Sequence, residues 1–391
     1  MPDHNNLNIN LLHSLPGGPA PFDRGLLQSF VPLKRSVEAM AADSGITYQA
    51  YMDVVQRFVF RNWGLLDEIV RASGFDKEID RLDLIAEKHG RDYHPARIRI
   101  GAQGSSYSFV VIVAVNQWSQ SVLEKEFRLL QHLREKFRSN FIPKVYLLGD
   151  EALSPQNKAN SNVRMMLGEW FDGFHEFHLC TDIGKGSQTL LLWDMDRGYV
   201  HLSQGESEQI YRAAAFILTS FYDTETFEEI FPWHHASGDF VASLRNGQID
   251  LRLTTARQYA PRSEFNEQSS ENRVMAMILF LANLTIRMRL DRFEGVGETV
   301  WAEDYSVNAT IKGFADALKR KIVDRVCDLE LANRFARTLQ ELPLGQLAQI
   351  FQRVVESYDR AAPDLPVIQS NLAAHVWEVY KSIETIFGRL K

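Results

Sequence analysis

The residues best suited to chemistry are concentrated in one short segment, from Pro232 to Val241. It contains two adjacent histidines, His234 and His235, followed by a Gly-Asp step that ends at Asp239. An imidazole can accept a proton near neutral pH, and a carboxylate offers the oxygen ligands that hard cations prefer. The segment is therefore a candidate catalytic loop, with His234, His235 and Asp239 as its candidate catalytic residues.

The residues after this loop predict a β-hairpin that returns the chain beside it. The run from Gly247 to Thr255 is rich in strand-forming residues. We therefore expect His234, Asp239 and Asp250 to converge at one cleft. Asp239 and Asp250 are the candidate metal ligands, while Arg252 could instead bind a carboxylate or a phosphate.

The hydrophobic pattern upstream of the loop changes from helical to alternating near Arg97. Residues 1–24 are rich in Asn, Pro and Gly and predict a flexible leader, and residues 25–94 predict a helical extension. From Arg97 to Trp170 the pattern predicts a hairpin, a helix and two strands. A small sheet is therefore expected to follow the extension.

The chain beyond Gly173 is mainly helical in pattern. Ser203 and Glu206 stand at capping-box spacing, which predicts the start of a long helix that leads to the loop. Further helices are expected over residues 276–290, 311–342, 344–358 and 366–390. The fold class predicted from these patterns is α+β.

The Gly-Asp-Phe step, its hairpin and the order strand, strand, helix, strand, strand resemble the kinase-like phosphotransferases, such as aminoglycoside and choline kinases and, more distantly, protein kinases. The resemblance covers roughly residues 95–340. It implies a protein-kinase-like two-lobed fold, with a small antiparallel-sheet N-lobe over 95–173 and a large helical C-lobe over 174–391. The C-lobe would contain a catalytic-loop-like segment at 232–259.

The same resemblance implies roles for individual residues. His234 stands where the family has its catalytic Asp, and Asp239 stands at the metal-binding Asn. The residues implied to bind the nucleotide are a Gly-rich turn over the phosphates, two residues at the hinge and one arginine near the second metal position: Gly101, Gly104, Ser105, Ser106, Glu169, Trp170 and Arg252. An ordinary hairpin is the alternative interpretation of the turn at 101–106.

The cations that the family uses are missing from their expected places. The strand from Val110 to Gln117 has no lysine, so Arg97 or Arg99 would have to replace it from a neighbouring strand. Without that lysine, Glu124 and Glu126 on the following helix are expected to be solvated charges. Transferred phosphoryl groups need fixed cations, so we expect phosphotransfer to be absent or very slow.

Composition excludes several classes of partner. The 391 residues carry a net charge of −7 and lack clustered basic residues with interleaved aromatics, so nucleic acid is not an expected partner. The most apolar segment, 274–286, has roughly 13 residues where a membrane span needs about 20, so it predicts a buried helix and no membrane partner. Cys180 and Cys327 are far apart, and no secretory signal is recognisable, which favours the cytoplasm.

The function predicted from the sequence is a degenerate, pseudokinase-like protein that binds a small-molecule ligand such as a nucleotide, or a partner protein, at the interlobe cleft. ATP and Mg²⁺ are the cofactors that the resemblance implies, although a degenerate site could use none. The rival function is an active ATP-dependent phosphotransferase on a small hydroxyl compound, with His234 as base.

Other interpretations of the same residues remain open. His234, His235 and Asp239 could form a zinc site, but adjacent imidazoles point to opposite sides of an extended chain. His175 and His178 have a spacing that could chelate on a helix, and we expect them to be inert surface residues. A further alternative is an all-helical scaffold around one small sheet, with no ligand.

Overall fold

The protein is seen in a computed structural model that describes residues 7–32, 43–88, 90, 93–102, 104–153, 162–182, 184, 186–194, 197–234, 238–262, 265 and 269–388. The chain divides into two compact units. Of the described residues, the first unit takes those up to Arg134, 143–172 and 197–198, and the second takes 135–142, 173–194 and 199–388.

Among the described residues, the first unit contains nine strands, three helices and most of a fourth. Their bounds are β1 Asn8–His13, β2 Ala20–Pro21, α1 Arg24–Gln28, β3 Phe30–Pro32, β4 Asp43–Thr47, α2 Tyr48–Arg61, α3 Trp63–Ala72, β5 Arg81–Ala86, β6 His94–Ala102, β7 Ser105–Ala114, α4 Gln117–Phe137, β8 Val145–Ala152 and β9 Asn162–Glu169. The predicted series of hairpin, helix and two strands is confirmed as β6, β7, α4, β8 and β9.

Seven of these strands form one mixed sheet in the order β2-β1-β5-β6-β7-β9-β8. All neighbours are antiparallel except β1 and β5, which run parallel. Alternate residues such as Ile98 and Ile100 on β6 and Phe109 and Val111 on β7 are fully buried in a core shared with α2 and α3. The opposite face of β6 carries Arg97 and Arg99, as period-two alternation requires.

The stretch predicted to be a flexible leader contains strand β1. The stretch predicted to be a helical extension contains helices α2 and α3, as expected, but also strands β3, β4 and β5. Asn8–His13 is a strand paired along its whole length with Arg81–Ala86, which itself lies in the stretch assigned to the extension. Ile9 and Leu11 pack against the sheet core, and Asn8 and Asn10, which alternate with them, fall on the other face. The alternation of Asn with Ile and Leu was the strand signal, and the Asn and Pro content obscured it.

The second unit contains nine strands and six helices among the described residues. Their bounds are β10 Phe177–Asp182, β11 Ser187–Asp194, β12 Gly198–His201, α5 Gln204–Phe221, β13 Glu228–Ile230, β14 Phe240–Arg245, β15 Gln248–Leu253, β16 Tyr259–Pro261, α6 Ser270–Met288, β17 Leu290–Arg292, β18 Thr299–Trp301, α7 Tyr305–Val323, α8 Leu329–Glu341, α9 Leu344–Glu356 and α10 Leu365–Phe387. The strands form one three-stranded sheet and several two-stranded ribbons.

Helix α5 begins as the sequence predicts. The Ser203 hydroxyl accepts a hydrogen bond from the Glu206 N–H, and the Glu206 carboxylate accepts one from the Ser203 N–H, which completes the capping box. Helix α5 packs closely on α7, where a Cβ at Gly313 would lie 2.0 Å from the Arg212 carbonyl oxygen. Only glycine fits this crossing.

Helix α6 contains the apolar segment 274–286, and most of that segment is buried, as predicted. Across the described residues, every helix is too short or too polar to serve as a membrane span. The mixed α+β class is thus established: a seven-stranded sheet comes first, and a largely helical region follows. The alternative of an all-helical scaffold with one small sheet is wrong.

Candidate functional site

The two ends of the His234 loop are held by ring packing at Trp233 and by a close contact between Gly238 and the Glu176 side chain. Trp233 is buried and meets the Phe240 ring at a centroid distance of 5.9 Å. Gly238 has a φ of +68°, and a Cβ there would lie 2.7 Å from Oε1 of Glu176, so glycine is required. The second candidate base, His235, lies outside the described residues.

Asp239 is buried, and its carboxylate already has a cationic partner. Oδ2 accepts hydrogen bonds from the His234 N–H at 2.7 Å and from Nη1 of Arg257 at 2.5 Å, while Oδ1 accepts from Nη2 of Arg257 at 2.6 Å. This two-pronged arginine contact is a strong form of ion pair. The Arg257 guanidinium therefore occupies the position that a cation bound by Asp239 would take.

The His234 imidazole lies against a second arginine. Nη2 of Arg287 is 2.6 Å from Nδ1 and 3.0 Å from Nε2 of His234, and Nη1 of Arg287 is paired with Asp364. A guanidinium can only donate hydrogen bonds, so the imidazole nitrogen that it meets must accept with its lone pair. A general base needs that lone pair for its substrate, so this arrangement opposes the predicted role of His234.

Asp250 does not join this group, and the predicted convergence is wrong. On the β14–β15 hairpin Asp250 is paired with Ser243, which is four residues from Asp239 along the chain. At about 3.3 Å per residue this separates the two positions by roughly 13 Å. The Asp250 carboxylate is exposed and binds Arg252, whose guanidinium lies 5.0 Å from the centre of the Phe174 ring.

The predicted Mg²⁺ site therefore does not fit the structure. Thr254, not an acid, lies opposite Asp239: its N–H donates to the Asp239 carbonyl oxygen at 2.7 Å. The carboxylates of Asp239 and Asp250 are each paired with a different arginine. No three His, Cys, Asp or Glu side chains in the described part of the chain are grouped closely enough to hold a metal ion.

The register that separates Asp239 from Asp250 has a signal in the sequence. Asn246 and Gly247 both have positive φ, at 52° and 74°, and form a two-residue turn closed by the pair Arg245 and Gln248. An Asn-Gly step between strands is the strongest short hairpin signal, and it fixes which residues face each other. Counting back from this turn would have placed Asp250 too far from the loop.

In the first unit, the turn at 101–106 is a tight hairpin. Gly101 pairs with Ser106 and Ala102 with Ser105, which leaves two residues for the turn, and one of these, Gln103, lies outside the described residues. A Cβ at Gly101 would be 2.9 Å from Nη2 of Arg81, so this glycine makes room for a side chain. These contacts are those of an ordinary hairpin; a role for Gly101, Gly104, Ser105 and Ser106 over a phosphate stays a prediction.

The two hinge candidates are engaged within the first unit. The Glu169 N–H donates to the Lys144 carbonyl oxygen at 2.8 Å, and Oε2 of Glu169 accepts a hydrogen bond from the Lys144 N–H at 3.0 Å. The Trp170 ring carries the Arg97 guanidinium at 5.0 Å from its centre, and Arg97 is also 3.0 Å from Glu87. Arg97 is thus a partner of a tryptophan and a glutamate.

The other charges expected near a nucleotide are also paired. Arg99 donates to the buried Asp83 carboxylate at 2.8 Å. Glu124 binds Arg164 of β9 and Arg128 of its own helix, each at 2.5 Å, and Glu126 is buried. The prediction that both glutamates are solvated charges is wrong for Glu126, which is buried, whereas the Glu124 side chain is 32% exposed and paired with two arginines.

His178 is a buried residue that the sequence analysis took for an inert surface histidine, and that prediction is wrong. It lies on strand β10 and is fully buried, with Nδ1 3.5 Å from Asp291 and Nε2 3.5 Å from Glu176. Burial opposes its charge, but the Asp291 and Glu176 carboxylates outweigh that effect and raise the pKa of His178. His175 precedes the same strand, 3.6 Å from Asp194.

A buried carboxyl near the loop was also missed. Burial raises the pKa of Glu229 on β13 to about 8, and Arg262, 4.0 Å away, offsets only part of this. Glu229 therefore keeps its proton at neutral pH, and a protonated carboxyl can donate a hydrogen bond. An acidic residue in a short strand such as β13 gives no sequence signal of this kind.

The sequence matches neither a protein-family model nor a curated protein.

Proposed function

We propose that the chain is a degenerate kinase-like protein that binds a nucleotide, another small ligand or a partner protein and does not transfer phosphate. The order of β6, β7, α4, β8 and β9 supports the kinase-like part of this proposal, because it is the element order of a kinase-like N-lobe. The loop and hairpin that follow α5 support it as well.

The observation that carries the loss of activity is the pairing of Asp239 with Arg257. A guanidinium satisfies the carboxylate without the divalent charge that stabilises a transferred phosphoryl group. Strand β7 supplies no lysine, and the imidazole of His234 faces Arg287. Each of these departures removes a separate part of the reaction.

Thermal unfolding with ATP alone and with Mg·ATP tests the binding part of the proposal. A ligand at one hundred times its dissociation constant stabilises the native state by about 2.7 kcal/mol. We expect any stabilisation by ATP to be the same with and without Mg²⁺. A stabilisation that requires Mg²⁺ contradicts the proposed loss of the cation site.

An assay of ATP consumption against amino sugars, amino alcohols and protein substrates tests the catalytic part. We expect no turnover above background from the wild type. Turnover that disappears in His234→Ala and Asp239→Ala but persists in Asp250→Ala would establish the rival phosphotransferase, with His234 and Asp239 in its active site.

A further inference from the structure

An open surface pocket of about 570 Å³, called the cavity below, lies at the start of helix α7, within the second unit. Its walls include one cationic, two acidic and two aromatic side chains: Arg289, Glu303, Asp304, Trp301 and Tyr305. This volume is within the range of small-molecule sites, about 300–1,000 Å³. No residue of this cavity belongs to the loop described above.

The base of the cavity is a buried guanidinium with donors to spare. Arg289 is 4% exposed, and its Nε and Nη2 donate to the Ala302 carbonyl oxygen, while Nη2 also donates to Asp304 at 2.8 Å. Nη1 makes no hydrogen bond to a described residue, and it is not fully buried. Because Arg289 lines the cavity, Nη1 is the donor that a ligand in the cavity could reach.

The N-terminus of α7 adds to the positive potential at the same place. Asp304 is the N-cap residue, but its side chain makes no capping hydrogen bond and binds Arg289 instead. The N–H groups of Ser306 and Val307 donate to the carbonyl oxygens of Glu303 and Asp304, so α7 contributes the positive end of its dipole at this place. An acceptor held by Arg289 would lie beside the cavity wall formed by Asp304 and Tyr305.

The charges around the cavity decide what kind of molecule fits. Glu303 and Asp304 bring two negative charges against the single positive charge of Arg289, so a simple anion would meet net repulsion. A zwitterion adds no net charge, and its two charged groups can pair with the positive and the negative side chains of the cavity. We propose that this cavity binds the zwitterionic head of an α-amino acid, with the carboxylate at Nη1 of Arg289 and the ammonium at Glu303.

An NMR titration that follows the indole N–H signal of Trp301 tests this proposal. The signal is assigned by its loss in Trp301→Phe. The probes are glycine, acetate, which carries only the carboxylate, and methylammonium, which carries only the ammonium. L-Phenylalanine is a fourth probe whose ring could pack on the aromatic wall. We expect saturable shifts with the two amino acids, and affinities for acetate and methylammonium at least about tenfold weaker.

Two neighbouring acids should have opposite effects. Glu303→Gln removes the charge that would bind the ligand ammonium. It should weaken glycine binding about tenfold, which corresponds to roughly 1.4 kcal/mol. Asp304→Asn removes a negative charge beside the ligand carboxylate and should strengthen it severalfold. Asp316→Asn is the matched control on α7, since Asp316 pairs with Arg212 and does not line the cavity.

The proposal is overturned if no probe gives a saturable shift in the wild type or in Asp304→Asn. It is also overturned if acetate binds as tightly as glycine, or if Glu303→Gln and Asp304→Asn change glycine binding in the same direction. Circular dichroism of each variant separates a lost site from a lost fold.

Discussion

Two arginine–aspartate pairs of the second unit are built in opposite ways. In the pair at the loop, the Asp239 side chain is 2% exposed and the Arg257 side chain is 38% exposed. In the pair at the cavity, the Arg289 side chain is 5% exposed and the Asp304 side chain is 61% exposed. When such a pair opens, the buried member is the charge left without a partner. A ligand that competes for it must therefore be a cation at Asp239 and an anionic group at Arg289.

The pairs also differ in how completely the buried member is satisfied. Asp239 accepts three N–H hydrogen bonds, from His234 and from both prongs of Arg257. Arg289 has the two donors of Nη1 still open to the cavity. The loop pair is consequently closed to a cation, whereas the cavity pair can still accept an anionic group.

The largest effect on stability should come from removing the exposed cation at the loop. Arg257→Leu leaves the buried Asp239 carboxylate without a counter-charge, and breaking a buried pair in this way costs about 3–5 kcal/mol. Urea unfolding at pH 7 measures the change in the free energy of unfolding.

The matched control is Arg252→Leu, because Arg252 pairs with Asp250, whose side chain is 56% exposed. Water can solvate Asp250 when its partner is lost, so this change should cost no more than about 1 kcal/mol. Equal costs for the two substitutions would show that the burial of Asp239 does not govern the energetics of its pair.

Removing the exposed acid at the cavity should have an intermediate effect. Asp304→Ala leaves the Arg289 charge buried, but Arg289 retains its hydrogen bonds to the Ala302 carbonyl oxygen, and Nη1 stays accessible to solvent. We expect a loss of about 1–3 kcal/mol in urea unfolding.

Asp316→Ala is the control for this change, since it breaks the exposed pair with Arg212, and it should cost under about 1 kcal/mol. A loss from Asp304→Ala as large as that from Arg257→Leu would mean that the cavity does not solvate the guanidinium.

The sequence predicts the helices and strands of this chain better than it predicts the charge pairs. Helices and strands depend on residues that are close in sequence, whereas the charge pairs join residues that are far apart in sequence. The capping box of Ser203 and Glu206 is a local pattern, and so is the alternation from Arg97 onward. Both were confirmed. The parallel pairing of β1 with β5 joins residues more than 70 positions apart, such as Asn8 and Arg81, and no periodicity encodes it.

The partners of the candidate site also lie outside the local sequence pattern, at separations of 18 to 77 residues. Arg257 is 18 residues from Asp239, Arg287 is 53 residues from His234, and Asp364 is a further 77 from Arg287. The sequence identified His234 and Asp239 as neighbours because they share one loop. It could not show that Arg257 neutralises Asp239 or that Arg287 lies against the His234 ring, and these contacts determine what the loop can do.

The smallest of these effects comes from a buried cation that pH can discharge without a mutation. His178 lies between Asp291 and Glu176, and their carboxylates, working against burial, raise its pKa. A group whose folded-state pKa is raised contributes stability below its ordinary value, near 6.5, and that contribution is lost as pH rises through the folded-state pKa. We therefore compare wild type with His178→Gln by urea unfolding from pH 5.5 to pH 9.

The stability advantage of the wild type over His178→Gln should be largest at the acid end and should fall by about 1–2 kcal/mol toward pH 9, as the charged contacts are lost. Burial lowers the pKa of His94 to about 4 and that of His375 well below its ordinary value. Both residues are present in the two proteins, so their contributions cancel in the difference. An advantage that stays constant or grows with pH would show that the His178 ring stabilises the fold by packing alone. Buried charge would then matter in this unit only where, as at Asp239 and Arg289, it cannot be titrated away.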